Sequence, residues 1–357
     1  MIDFTILESY IDIPLCTTIF ILLILALCVI SSKKAQLLLQ NFMPTYDAPQ
    51  KIHEHQVTRL GGLMMVIALV LLIWLSPNQE IKDTLTPFFF AFLPLGLITL
   101  AEDLHKVIAP RVRLAAMLGA SFLMLEMTGI SLPLIDTPFL RDVLADPFIL
   151  TIFYVVCIVS LMNGMNFVDG TNGNFSLMTL GMLMSLAFLS STVADVKFLA
   201  LIILAAIPLV AFTLLNYPWG KIFAGDIGPY FFASLIGFLL LLFLGQNKDV
   251  SAWNALLITF YPIAELIYSF IRKIYKGQSP MQADRGHLHI KIFTLLNRGS
   301  NEPHLSNNMV TMFLGIFWLV PSMILPWVYQ SNLLLTIALV FLSLSYITVN
   351  LAIPRFD

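Results

Sequence analysis

The chain has 357 residues, 59% of them hydrophobic and only 11% charged, with a net charge of −2, where soluble domains carry about 25% charged residues. A water-soluble core of this size cannot hide so much apolar surface, which points to an integral membrane protein with lipid as its main solvent. No segment has the basic character of a nucleic-acid-binding domain, and Cys16, Cys28 and Cys157 lie inside apolar runs without C-x-x-C or zinc spacing. They are read as packing residues, and no disulfide is expected.

Eleven apolar runs approach the ~20 residues that span a bilayer. In chain order they cover about 15–32, 61–76, 87–101, 113–131, 148–162, 174–192, 198–215, 229–246, 253–271, 308–328 and 333–351. The first run follows an acidic leader (Asp3, Glu8, Asp12) and precedes Lys33-Lys34. A cleaved signal peptide has positive charge before its apolar run and small residues after it, so this run is expected to be a retained helix. There is no internal repeat. The expected fold class is therefore an all-α integral membrane protein, one polytopic domain over 1–357, with its N-terminus outside and its C-terminus cytoplasmic.

The distribution of positive charge agrees with that threading. With the N-terminus outside, the outer loops hold only Lys82, Arg141, Lys197 and Lys248, and the other fifteen of the 19 Lys and Arg fall on the inner side. Such an excess marks the cytoplasmic face.

The inner loops also hold the unusual sequence. The first contains Asp47, Lys51, His53 and then Arg59-Leu60-Gly61-Gly62, and the second has Glu102-Asp103 followed by Pro110-Arg111-Val112-Arg113. The third runs Asn163-Gly164-Met165-Asn166-Phe167-Val168-Asp169-Gly170-Thr171-Asn172-Gly173, and the fourth Gly225-Asp226-Ile227-Gly228. The fifth contains Asp284-Arg285-Gly286-His287-Leu288-His289. Carboxylates and carboxamides with few imidazoles favour a hard, oxygen-seeking ion such as Mg²⁺ over Zn²⁺. Lys, Arg and His around that ion suit an anionic substrate, phosphate above all. Phosphoryl transfer asks for little beyond positioning and charge neutralisation.

Blander readings exist for each element. Asn and Asp beside Gly are ordinary turn formers, and Arg111 fits an interfacial anchor. Asp226 is less easily set aside, because an uncompensated carboxylate between two long apolar spans is costly and marks function. As a helix N-cap, it would instead be structural. Glu265 lies near the inner end of its run, within reach of the same face.

Across nearly the whole chain these motifs resemble the polyprenyl-phosphate N-acetylhexosamine-1-phosphate transferases, the glycosyltransferase family 4 enzymes that open O-antigen-like polysaccharide synthesis. The resemblance implies transfer of an N-acetylhexosamine-1-phosphate from a UDP-N-acetylhexosamine to undecaprenyl phosphate, with release of UMP. The setting implied is the cytoplasmic face of a bacterial inner membrane, with Mg²⁺ as cofactor and Mn²⁺ as an alternative. Carried over residue by residue, Asp226 matches the metal-binding aspartate, and Glu102 and Asp103 the acidic pair. Asn163, Asn166 and Asp169 match the third-loop site, Lys51 and His53 the basic residues of the first loop, and His287 and His289 the histidines of the last. Glu102 stands where the family has Asp, Asn172 where it has a second third-loop aspartate, and Ile290 follows His289 where many relatives have a histidine. Catalytic roles are expected for Glu102, Asp103 and Asp169, and substrate contacts for Lys51, His53, Asn163, Asn166, Asn172, Arg285, His287 and His289.

A single in-line displacement and a two-step route through an aspartyl intermediate both satisfy this pattern. A transporter or flippase for a lipid-linked or nucleotide-linked sugar is the alternative class. Transporters, however, bury ionisable groups near the midplane and often show repeated halves, whereas these acids gather at one interface. Oligomeric state is not fixed by the sequence. Cysteines introduced at positions 53, 105, 170 and 285 are expected to react only with reagents that reach the cytoplasm, and labelling from outside intact cells would refute this threading.

Overall fold

A computed structural model describes residues 4–39, 57–104, 108–135, 137–279, 286–298 and 303–353. Lys51, His53 and Arg285 lie outside the described residues. Among the described residues the chain is helical, with no strand, and the helices run in the order α1 (Phe4–Tyr10), α2 (Ile13–Ile30), α3 (Lys33–Leu39), α4 (Gly61–Leu75), α5 (Gln79–Leu104), α6 (Pro110–Thr128), α7 (Pro138–Val143) and α8 (Pro147–Val168). There follow α9 (Asn174–Thr192), α10 (Val196–Asn216), α11 (Ile227–Gln246), α12 (Trp253–Ile258), α13 (Phe260–Tyr275), α14 (Leu288–Asn297), α15 (Pro303–Val328) and α16 (Asn332–Ala352).

Local sequence starts many of these helices where they begin. Asp12, Asp146, Asp195 and Ser331 accept backbone N–H groups in the first turns of α2, α8, α10 and α16, relieving donors that a helix start leaves unpaired. Proline at the first positions of α2, α6 and α8 suits a site that needs no donor.

Each of the eleven apolar runs is helical, and among the described residues eight helices are long and apolar enough to cross a bilayer. The other three runs depart for visible reasons. α4 is shorter at 15 residues, and α6 carries Arg111, Arg113 and Glu126. The run at 253–271 is not one helix: it breaks at Thr259 into α12 and α13. Pro262 lacks the N–H that would bond the carbonyl four residues back, and its ring crowds that turn.

The centre of the bundle is α11, whose spanning window is 94% buried, against 17% for α2 at the rim. Helices α4, α5, α8 and α9 surround α11, α6 packs on α5 and α8, and α13 packs on α8. Rim helices expose large apolar side chains such as Leu22, Phe90, Trp327 and Phe341, as expected where the neighbour is lipid.

One close approach sets the geometry of the end of the bundle where α4 and α11 begin. Thr58 O accepts from Phe223 N at 2.9 Å, while Gly61 N and Gly62 N donate to Phe223 O and Ala224 O at 3.0 and 2.9 Å. This short backbone ladder ties the segment before α4 to the segment before α11. A Cβ on Gly62 would lie 2.2 Å from Ala224 O and 2.5 Å from Gly228 N, so only glycine fits. Gly225 has φ +66°, a conformation glycine adopts without steric penalty. Gly62→Ala is expected to cost roughly 1–3 kcal/mol through overpacking. Gly119→Ala, with nothing within 4 Å of the added carbon, lies inside a helix where Ala is favoured over Gly, so it should not lower thermal stability in detergent.

Candidate active site at the start of the central helix

The site is built on the first residues of α11. Asp226 occupies the N-cap position, yet its side chain caps nothing. The capping carboxylate comes from another helix. Asp103, in the last turn of α5 and 2% exposed, accepts from Asp226 N through both oxygens at 2.9 and 2.8 Å and from Ile227 N at 3.2 Å. The helix start therefore favours a negative charge, and Asp103 supplies it while leaving the Asp226 carboxylate directed elsewhere. The bland reading of Asp226 as a cap does not survive this geometry.

Asp226 Oδ1 accepts from Arg59 Nη2 at 3.1 Å and from Asn166 Nδ2 at 3.3 Å, and Oδ2 lies 3.8 Å from Arg113 Nη1. Arg59 also approaches Asp103, with Nε 3.6 Å from Oδ1, so one guanidinium bridges two carboxylates. Despite burial, which disfavours its charge, Arg59 is held above its ordinary pKa by Asp226, Asp103, Asp169 and Glu102. Arg113 pairs with Glu102 Oε1 at 2.9 Å, and Glu102 Oε2 is buried without a hydrogen-bond partner. Asp169, the C-cap of α8, lies within electrostatic reach of Arg59 and Asp226. Burial pushes its carboxyl up to about 7, against the pull of Arg59 and with the push of Asp226.

Other expected site residues are placed differently. Asn163 donates to Val159 O of its own helix at 2.9 Å, one turn deeper than Asn166. Asn172 faces α15: its backbone N donates to Asn307 Oδ1 at 2.7 Å, its Nδ2 to Asn308 Oδ1 at 3.2 Å, and its carbonyl accepts from Thr311 Oγ1 at 2.7 Å. It belongs to a buried polar seam that seats the third loop. His287 and His289 stack with ring centroids 5.8 Å apart, and His287 lies 5.0 Å from the Phe167 ring. His289 Nε2 sits so close to Gly170 that a Cβ there would come within 2.2 Å. Burial drives the His289 imidazole down to about 3, helped by His287 and opposed by Glu265, so the ring is neutral at physiological pH. The last loop thus packs on the third one, beside Asp169.

Among the described residues no three acidic, histidine or cysteine side chains converge as a preformed metal cage. Four carboxylates, Glu102, Asp103, Asp169 and Asp226, nevertheless share this region with only Arg59 and Arg113 as described cationic partners. That excess of negative charge, the part-exposed Asp226 and the orphaned Glu102 Oε2 fit Mg²⁺, which binds through one or two carboxylates and keeps several waters. Sequence reasoning used Arg59 only as a marker of sidedness. Its place two residues before Gly61-Gly62 was the one available signal, but nothing in a linear reading puts it across from residue 226.

The fold and site define an all-helical, multi-pass membrane protein with an acidic, arginine-bridged centre at one end of its core helix. Residues 85–244 match the family model described as "Glycosyl transferase family 4". A probable undecaprenyl-phosphate N-acetylglucosaminyl 1-phosphate transferase of Bacillus subtilis is 23% identical over 302 residues, covering 83% of this chain and 81% of that protein. Undecaprenyl-phosphate alpha-N-acetylglucosaminyl 1-phosphate transferases of Thermotoga maritima and Yersinia pestis are 25% and 27% identical, covering 67% of this chain each and 69% and 66% of their own lengths. These similarities support the family that the motifs resembled, the polyprenyl-phosphate N-acetylhexosamine-1-phosphate transferases.

The acidic pair separates into two jobs that stability measurements can distinguish. Asp103→Ala leaves buried N–H groups of Asp226 and Ile227 without an acceptor and is expected to cost about 1–3 kcal/mol of stability. Glu102→Gln keeps an acceptor for Arg113, so its thermal unfolding should match the parent's while activity falls.

Proposed function

We propose that this protein transfers an N-acetylhexosamine-1-phosphate from a UDP-sugar to undecaprenyl phosphate, releasing UMP, as the first membrane step of an O-antigen-like polysaccharide. The sugar-phosphate transfer itself is supported by the named relatives. The observation that carries the reading is the Asp226 carboxylate, freed from capping by Asp103 and set among Arg59, Arg113 and Asn166. We place the site on the cytoplasmic face of a bacterial inner membrane, because the excess of Lys and Arg in these loops favours the inner side.

In the proposed reaction an oxygen of the lipid phosphate attacks the sugar-linked phosphorus of the donor. The new phosphoanhydride forms as the bond to UMP breaks, and UMP leaves with the electron pair. Asp226, with Glu102 beside it, would hold Mg²⁺, which supplies charge neutralisation on the diphosphate. Arg59 and Arg113 orient the carboxylates and lower the cost of gathering them. Glu102, through its unpartnered Oε2, is the member of the acidic pair available to accept a proton from the lipid phosphate or to orient it. Asp103 has both oxygens engaged by backbone. A lipid phosphate with a second pKa near 6 is mostly dianionic at neutral pH, so orientation outweighs proton removal.

Asp226→Asn keeps size and one oxygen donor but removes the charge. UMP exchange per folded molecule, measured in membranes supplied with undecaprenyl phosphate across a Mg²⁺ titration, is expected to fall by about two to three orders of magnitude, as when one electrostatic stabiliser is lost. Folding should persist, because Asp103 and not Asp226 caps α11. Activity within a few-fold of the parent, with unchanged Mg²⁺ dependence, would remove Asp226 from the metal site.

A further inference from the structure

Among the described residues, Glu265 is a fully buried carboxylate that the proposed mechanism does not use. It lies in the second turn of α13, is 0% exposed, and gathers donors from two other parts of the chain. Its Oε1 faces His287 Nδ1 at 2.9 Å and accepts from Leu288 N at 3.3 Å. Its Oε2 accepts from the Tyr346 hydroxyl of α16. A carboxylate held this far from water is tolerated only when paired and hydrogen-bonded, and here the partner with a titratable ring is His287. That ring is clamped on its faces as well, stacking at 19° on His289 and lying against Phe167. Phe167 belongs to the same segment as Asn166 and Asp169.

We propose that Glu265 is a positioning residue that acts through His287, holding the Nδ1–H so that the ring keeps a fixed orientation against Phe167 and His289 beside the third loop. The proposal rests on the transferase reading above and extends it to a residue outside the family motifs named from the sequence. The physical logic is that of a carboxylate behind an imidazole: a hydrogen bond at one ring nitrogen fixes which nitrogen carries the proton and where the other points. Tyr346, bound to the opposite oxygen, keeps the carboxylate from rotating away. A purely structural alternative is that Glu265 only pins α13, α14 and α16 together.

A double-mutant cycle separates the two. Glu265→Gln is expected to lower UMP exchange about 10- to 100-fold, the range typical when the group orienting a site histidine is lost. His287→Ala should do at least as much. In the His287→Ala background, Glu265→Gln should then change the rate by less than about threefold, because the coupled residues act as one unit. If the Glu265→Gln loss multiplies fully onto that of His287→Ala, Glu265 acts independently of the histidine and the proposal is wrong. A second readout does not depend on turnover. Nitrogen-15 histidine NMR in detergent, with the His287 signal identified by its absence in His287→Ala, should show a strongly hydrogen-bonded Nδ1–H that Glu265→Gln removes. An unchanged His287 signal overturns the pairing. A parent protein that forms that hydrogen bond but exchanges no UMP would overturn the transferase reading, and with it the purpose of the positioning, while leaving the Glu265 hold on the ring established.

Discussion

The hydrogen bonds from the backbone of Asp226 and Ile227 to the Asp103 carboxylate organise the end of this protein where α11 begins. A helix start buried in a membrane protein presents unpaired N–H groups that no water reaches, and satisfying them is obligatory. The usual remedy is the side chain of the N-cap residue itself. Here the carboxylate is borrowed from the end of α5, which fixes α5 against α11 and releases the Asp226 side chain for other work. Arg59 spans both acids, and the backbone ladder between 58–62 and 223–224 carries Arg59 to that position. Removing the borrowed cap would therefore disturb helix packing, the fourth loop and the reactive carboxylate together.

The second constraint is charge. Gathering Glu102, Asp103, Asp169 and Asp226 at the end of a core helix is unfavourable in a region of low dielectric, and Arg59 and Arg113 offset it only in part. The remaining negative charge is the physical reason a hard divalent cation suits the proposed chemistry, while burial, more than the neighbouring charges, raises the Asp169 carboxyl. Such a centre is poorly matched to transport. It lies where a core helix begins at one end of the bundle, and the proposed function uses it to join a water-soluble donor to a membrane lipid.

A third element is the buried polar seam behind the third loop. Thr171, Asn172 and Gly173 are tied by Thr311, Asn307 and Asn216, which anchors the turn between α8 and α9 to α15 and α10. Asn172, where the resemblance implies a second aspartate, makes these bonds with its backbone and amide. A carboxylate at the same buried position has no N–H to donate to Asn308 Oδ1 or to Pro218 O. The substitution thus suits the seam, in which the carboxamide donates to carbonyl oxygens.

Solvent preference made much of this protein legible in its residues. Runs such as 174–192 and 229–246 became α9 and α11 with little change, because in lipid an apolar segment of that length has no other way to satisfy its backbone. The bias of Lys and Arg to one set of loops, and the gathering of Asp103, Asn166, Asp169 and Asp226 at one end of the bundle, follow from the order of charges along the chain. Linear order does not say which loop meets which. That Asp103 caps α11 while Asp226 does not, that Arg59 bridges them, that Asn172 turns to α15, and that Glu265 lies behind His287 are contacts between residues 22 to 167 positions apart. Such contacts are decided by how helices pack, where glycines allow backbones to touch and where buried donors find an acceptor. The sequence determined the solvent, the helices and the chemical inventory; only the tertiary structure decided the division of labour, because a carboxylate's role depends on which donors the fold brings to it.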